Sequence, residues 1–369
     1  YRLRKMNLKD HEKLPSVKIA KPEKAYPFSA GRLDERISHF LDSVLPSTQT
    51  AAFLVIRNDS ILYERYFQGF DDSSLLPSNS MAKSFIGTLT GMAVDEGRIG
   101  SVSDPVTAYL PELLERDSNF ARITIQHLLD MRSGLNFNEG SYTLKDDAIR
   151  LGLRRNLEKH LLRASIAKPP GQFRYQSINT QLLGLVIERA SGEKLEDYLY
   201  KKLWQPLGME NGATWNVDSR RRKQVLISAG INATARDFAK LGRLYLANGR
   251  WKGQQLLQED WVDMISNIDT MQYYGGYKYQ WWSRMAYQYF EDSLDAEKFK
   301  RRTSYSGALR KTDNGFQVNY RTSAYHANGF LSQIIFVHPL KQLIIVRLGK
   351  RWKHPERFSS FIYNLGERM

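Results

Sequence analysis

Ser80-Met81-Ala82-Lys83 sets a hydroxyl and an amine three residues apart where a run of helical periodicity begins, and its reading decides how the rest of the chain is understood. On a helix, positions i and i+3 share a face. Residues 77–79 read as a loop, whereas 81–96 (MAKSFIGTLTGMAVDE) carries Phe85, Leu89 and Met92 at helical spacing. Ser80 is therefore expected at a helix N-terminus. Free backbone N–H groups and the positive end of the helix dipole would there favour an alkoxide, or the oxyanion made when it attacks a carbonyl. Lys83, one turn in, can take the serine proton if its amine is neutral. An ordinary lysine titrates near pH 10.4, so burial or a cationic neighbour is required.

The same spacing recurs at Ser165-Ile166-Ala167-Lys168, but that copy runs into Pro169 and Pro170, which exclude a continuing helix. Only the first copy has the required context. Just upstream of it, 51–56 (AAFLVI), a turn at Asn58-Asp59 and 61–66 (ILYERY) read as a β-hairpin. Near the other end, 333–337 (QIIFV), a turn over 338–341 and 343–348 (LIIVRL) form a second hairpin, with a helix expected over 356–366.

Between them, 105–261 reads as mostly helical. One helix covers 179–190 and stops at Gly192; another follows the capping box Thr234-Ala235-Arg236-Asp237 and ends near Gly249. The expected fold is α/β (α+β): an antiparallel sheet built from both chain ends, flanked by helices, with an inserted mainly helical region. Residues 1–30, with Pro15, Pro22 and Pro27, read as an N-terminal arm. Residues 31–369 are then a single catalytic domain, with its sheet part at about 31–100 and 265–369 and its helical part at about 101–264.

The 369 residues suffice for a large core, and no apolar run is long enough to span a membrane. The absence of cysteine removes disulfides, thiolate metal sites and cysteine nucleophiles together. It fits an extracytoplasmic home without demanding one. A chain that opens at Tyr1 is expected to have lost a signal peptide or anchor, so the expected location is the bacterial periplasm or envelope, with the cytoplasm as the alternative.

The formal charge of +15 raises nucleic acid and anionic envelope surfaces as electrostatic partners. The basic clusters at 220–223, 298–302 and 350–353 lie far apart and carry no nucleic-acid motif, which argues against nucleic acid.

Two further constellations carry chemistry. Tyr175 and Ser177 lie in a loop leading into a helix (PGQFRYQSIN, 170–179), where a tyrosine beside a lysine can share its proton and later protonate a leaving group. Gly329, in YHANGFLSQ (325–333), enters the first strand of the C-terminal hairpin, where a glycine admits a close backbone or ligand. A neighbouring N–H there could complete an oxyanion hole with the N–H of Ser80. There is no G-x-S-x-G elbow and no H-E-x-x-H, and neither a metal nor a cofactor is expected.

Ser80-x-x-Lys83, Tyr175-x-Ser177 and the Gly329 strand, in this order, resemble the serine β-lactamase and penicillin-binding protein superfamily. The flanking text Asp95-Glu96-Gly97-Arg98-Ile99, Tyr109-Leu110-Pro111-Glu112 and Ser133-Gly134-Leu135 is similar to its class C branch, and most of all to 6-aminohexanoate-dimer hydrolases and related carboxylesterases, over about residues 45–350. The resemblance implies Ser80 as acylated nucleophile, and Lys83 and Tyr175 as proton-transfer partners. It also implies Ser177 and Gly329 at the substrate, Phe330 as second oxyanion N–H donor, and Tyr142 as a substrate-contacting tyrosine.

One departure stands out. Where β-lactamases carry a lysine before the motif's glycine, this chain has Ala327, preceded by His326. The expected activity is hydrolysis of a small-molecule or peptide-like amide or ester. Alternatives are DD-peptidase or β-lactamase activity, or a non-catalytic protein binding envelope polymers on the same scaffold. Residues 284–323 are expected either to line the cleft or to form a surface insertion.

Overall fold

The hairpin expected near the start forms as β3 (Thr50–Arg57) and β4 (Ser60–Tyr66), preceded by β1 (Ser16–Ile19), β2 (Ser29–Ala30) and α1 (Glu35–Val44). This computed structural model describes residues 7–141, 143, 145–266, 276–302, 306–313 and 315–369, so the expectation for Tyr142 lies outside the described residues. After β5 (Leu76–Pro77) and α2 (Ala82–Asp95) come α3 (Pro111–Arg116), α4 (Ile125–Leu129), α5 (Asp147–Gly152), α6 (Leu157–Leu161), α7 (Ser177–Ser191) and α8 (Leu195–Leu199). Next are β6 (Ala213–Asn216), β7 (Ile231–Ala233), α9 (Ala235–Leu246), the small hairpin β8 (Arg250–Trp251) and β9 (Gln254–Gln255), and α10 (Glu259–Ser266). The chain ends with β10 (Tyr277–Lys278), β11 (Trp281–Phe290), α11 (Ser293–Arg302), β12 (Ser306–Thr312), β13 (Gly315–Gly329), β14 (Gln333–His338), β15 (Leu343–Gly349) and α12 (Phe358–Arg368).

The large sheet runs β10-β11-β13-β14-β15-β3-β4-β2, with β12 added on β13, so both chain ends build it as the sequence predicted. All its pairs are antiparallel except β2 with β4. The closure lies at β15 and β3, where Ile345 sits opposite Val55 and Ile344 opposite Ile56.

Both faces of β3 are covered, which explains its unbroken apolar run. Phe53 and Val55 join a core with Leu41 of α1 and Phe361 of α12. Leu54 and Ile56 face the larger core with Phe85 and Phe238, on α2 and α9.

A second sheet, β1-β6-β7-β5, was not expected: β6 and β7 lie within the region read as helical, β1 in the segment read as an arm and β5 just before α2. Its strands are two to four residues long, too short for alternation to be visible in the sequence. The segment before α1 contributes to both sheets: Val17 pairs with Trp215 in one and Ala30 with Ile61 in the other. The stretch 284–323 widens the large sheet, with Phe299 of α11 packed on Phe290 and Tyr320 at 5.2 Å from each ring.

Arg347 of β15 is fully buried, and its guanidinium is spread over backbone carbonyls rather than a carboxylate. Nη1 donates to the oxygens of Leu331 (2.7 Å) and Ser332 (3.0 Å), and Nη2 to those of Thr48 (3.2 Å) and Lys350 (2.9 Å). Burial pushes it down to about 9, which still leaves it charged at neutral pH. Leu331 and Ser332 have φ of 65° and 64°, a strained turn for side-chain-bearing residues, and Arg347 pins its carbonyls. Arg347→Met strands these acceptors, at about 1–3 kcal/mol for a buried unpaired group. Chemical denaturation is expected to register a loss on the order of 3 kcal/mol in total. Arg347→Lys should recover only part of it, because one ammonium cannot span both sides.

Candidate active site

The nucleophile expected at a helix start sits in a single 3₁₀ turn, Asn79–Met81, that feeds α2. The turn is anchored on both sides. Ser78 N–H donates to Ile231 O at 2.8 Å, tying it to the small sheet, and Asn79 Nδ2 donates to Phe330 O at 2.9 Å, tying it to the large one. Asn79 itself is left-handed, with φ 47°. Gly329 meets the same turn, because a Cβ there would lie 2.4 Å from Ser78 O and 3.3 Å from Asn79 Cβ. No side chain fits that gap.

Lys83 is 1% exposed, and its Nζ donates to Ser80 Oγ at 2.9 Å and to Ser228 O at 3.3 Å. It takes part in no ion pair among the described residues. The Tyr175 ring stands beside the amine, with Nζ 5.1 Å from the ring centroid. The fold therefore brings Ser80, Lys83 and Tyr175 together from α2 and the loop before α7. The second S-x-x-K copy makes no helix, and Ile166 within it bridges Leu135.

Tyr175 belongs to an aromatic wall. It stacks on Trp282 at 5.5 Å and meets Tyr277 edge-on at 5.9 Å, and Phe173 packs on both partners. Burial pushes the Tyr277 phenol well up, with a further push from its neighbour Tyr175 and from the carboxylates of Asp130 and Glu139, so it stays protonated. Its hydroxyl donates to Gln280 Oε1 at 3.2 Å. Tyr277 thus shapes the wall, and Tyr175 remains the tyrosine placed at Lys83.

Ser177 is buried and points its hydroxyl at Glu139 Oε1, 2.7 Å away, while its N–H donates to the other carboxylate oxygen. The carboxylate caps the start of α7, where no side chain of the Gln176 N-cap does so. Gln176 Nε2 holds the same loop by donating to Leu135 O and Phe137 O. Glu139, Asn79, Trp282 and the Ser228 carbonyl are site residues that the motif reading did not single out. An acidic residue in the loop facing an uncapped helix start was the available signal for Glu139; the Ser228 carbonyl leaves none.

Phe330 follows Gly329 at the end of β13 and begins the turn that Arg347 pins. Ala327 is fully buried, and His326, on the opposite face of the strand, has its Nδ1 3.0 Å from Tyr363 Oη. The histidine therefore points to α12 and does not replace the missing lysine. Among the described residues, no three His, Asp or Glu side chains converge as metal ligands. An open groove of about 760 Å³ lies between residues 27–33, α1 and β4, and shares no lining residue with this site. Gly329→Ala drives a methyl into Ser78 O and is expected to cost about 1–3 kcal/mol in a denaturant titration, with the Ser80 turn displaced.

Residues 34–364 match the family described as Beta-lactamase. A 6-aminohexanoate-dimer hydrolase of Paenarthrobacter ureafaciens is 30% identical over 298 residues, which are 73% of this chain and 74% of that protein. Esterase EstB of Burkholderia gladioli is 29% identical over 212 residues, about half of each chain (51% and 53%). A solved Bacillus anthracis structure, proposed as a 6-aminohexanoate-dimer hydrolase, superposes with a TM-score of 0.76 at 23% identity, covering 99% of this chain and 93% of that one. That likeness carries the fold, as the motifs implied. With a match running from the start of α1 into α12, and an S-x-x-K turn closed by a glycine strand from the far end of the sequence, the chain belongs to the beta-lactamase family.

Proposed function

We propose that the protein is a serine hydrolase that cleaves an amide or ester through an acyl-enzyme on Ser80. The observation that carries this reading is the 2.9 Å hydrogen bond from the buried Lys83 amine to Ser80 Oγ, with Tyr175 against the same amine. The 2.9 Å separation lies within proton-transfer reach, and the Tyr175 ring stands beside the same amine. The similarity to an aminohexanoate-dimer hydrolase and an esterase supports the same class of chemistry.

In the proposed reaction, Ser80 Oγ attacks the substrate carbonyl and its proton passes to the Lys83–Tyr175 pair. The N–H groups of Ser80 and Phe330 take the oxyanion's charge. The pair returns the proton to the leaving amine or alcohol, the acyl group stays on Ser80, and water then releases it by the reverse relay. Trp282, Tyr277 and Phe173 offer an aromatic wall for an apolar acyl or leaving group, and Glu139 adds a carboxylate to its rim. With Ala327 in the lysine position and His326 turned away, the cleft lacks the cation at that point of the strand. Substrates anchored by a carboxylate there, β-lactams among them, are expected to be poor.

A fluorophosphonate probe is expected to label the wild type and to leave Ser80→Ala unlabelled, with thermal unfolding unchanged. Labelling that persists in Ser80→Ala would sink the assignment. Lys83→Met and Tyr175→Phe should each lower turnover of short-chain nitrophenyl esters by about 100- to 10,000-fold, the range for loss of a positioned acid or base. A parallel screen of 6-aminohexanoate oligomers, D-amino peptides and β-lactams reads out the substrate class.

A further inference from the structure

Basic residues are scattered along the sequence, but the fold brings two exposed groups of them, eight residues in all, to neighbouring segments of the surface. Arg154 and Arg155 precede α6, Lys159 lies on it and Arg163 follows it, and all four are exposed. Three of them, Arg154, Arg163 and Lys159, lie close enough to His160 that their charges, after burial, lower its pKa. A loop from the distant 219–223 segment adds Arg220, Arg221, Arg222 and Lys223, also exposed.

Asp218 fastens that loop to α6. Its Oδ2 accepts from Leu157 N–H at 3.2 Å, and its Oδ1 accepts from Ser219 Oγ at 3.1 Å and Gln224 N–H at 3.2 Å. The loop closes on itself through Asp218 N–H to Gln224 O (2.8 Å) and Lys223 N–H to Ser219 O (3.0 Å). Its arginines are thus held outward on a fixed base.

None of the eight basic residues enters an ion pair among the described residues. Asp218 is occupied by backbone donors, and Glu158 on the same helix pairs with Arg189 at 2.7 Å. Such a concentration of like charge repels itself in the free protein and is relieved by an anionic partner.

Leu153 identifies which partner. It adjoins Arg154 and is 70% exposed, an apolar side chain standing in water beside the cations. A soluble polyanion rewards the charges but not the leucine. A bilayer rewards both, with guanidinium groups among anionic headgroups and an apolar side chain at the acyl boundary. No helix among the described residues is long and apolar enough to cross a membrane, so the contact is peripheral.

We propose that the face formed by residues 153–163 and 219–223 docks on an anionic phospholipid surface. Ser228, whose carbonyl touches Lys83, lies five positions after Lys223. A chain of that length spans at most about 18 Å. Docking therefore brings the Ser80 cleft next to the bilayer.

The test is co-sedimentation of the full chain with vesicles of phosphatidylcholine alone and of phosphatidylcholine mixed with phosphatidylglycerol, at low and high salt. Binding is expected only to the phosphatidylglycerol vesicles and should fade with salt. Replacing Arg220, Arg221 and Arg222 with alanine should weaken it about 100-fold, at about fivefold per basic residue. A charge-matched control, Arg301→Ala with Arg351→Ala and Lys353→Ala, should retain wild-type binding. Leu153→Ser should weaken vesicle binding and leave retention on heparin unchanged, and thermal melts verify that each variant folds. Equal partition onto both vesicles, a control as damaging as the patch variant, or heparin binding without vesicle binding would each overturn the proposal.

Discussion

The bare α-carbon of Gly329 against the carbonyl of Ser78 is the contact on which the site depends. It brings a strand from the last quarter of the chain onto the turn that holds Ser80. A side chain there would hold the two backbones apart and carry Phe330 away from Ser80. Asn79 completes the junction by bonding the Phe330 carbonyl, and Arg347 grips the carbonyls of the two residues that follow. The geometry around Ser80 is thus over-determined from the sheet side, which is how a strained turn at 331–332 persists.

The two halves of the sheet were legible because each hairpin carries its own strong local signal. AAFLVI (51–56) and LIIV (343–346) are buried on both faces and read as unbroken apolar runs. Thr234 and Gly192 announced helix ends through capping chemistry, and the structure has them there. The small sheet was not legible, because pairs such as Val17 with Trp215 join very short segments about 200 residues apart. Nothing local in either segment specifies the other.

The site followed the same rule. Ser80 and Lys83 lie within one turn at a helix start, so their spacing together with that context foretold the hydrogen bond. Tyr175 and Gly329 needed a family resemblance, since only tertiary structure brings them near. Ser228 contributes a backbone oxygen, which any residue type supplies, and no sequence pattern marks it. Ser177 shows the converse: the motif marks the position, but its hydroxyl is taken by Glu139.

The closure of β15 onto β3 has a consequence for how the protein comes into being. The hairpin and the serine turn leave the ribosome early, yet their neighbours in β13 to β15 are made more than about 230 residues later. Until then β3 has an open edge, and the turn at Ser80 lacks the partner that fixes it. Pairings this remote in sequence form slowly, because a large loop must close first. A nascent or C-terminally truncated chain therefore carries Ser80 and Lys83 in the right order but without the Gly329 strand beside them, and the site is complete only at the end of synthesis.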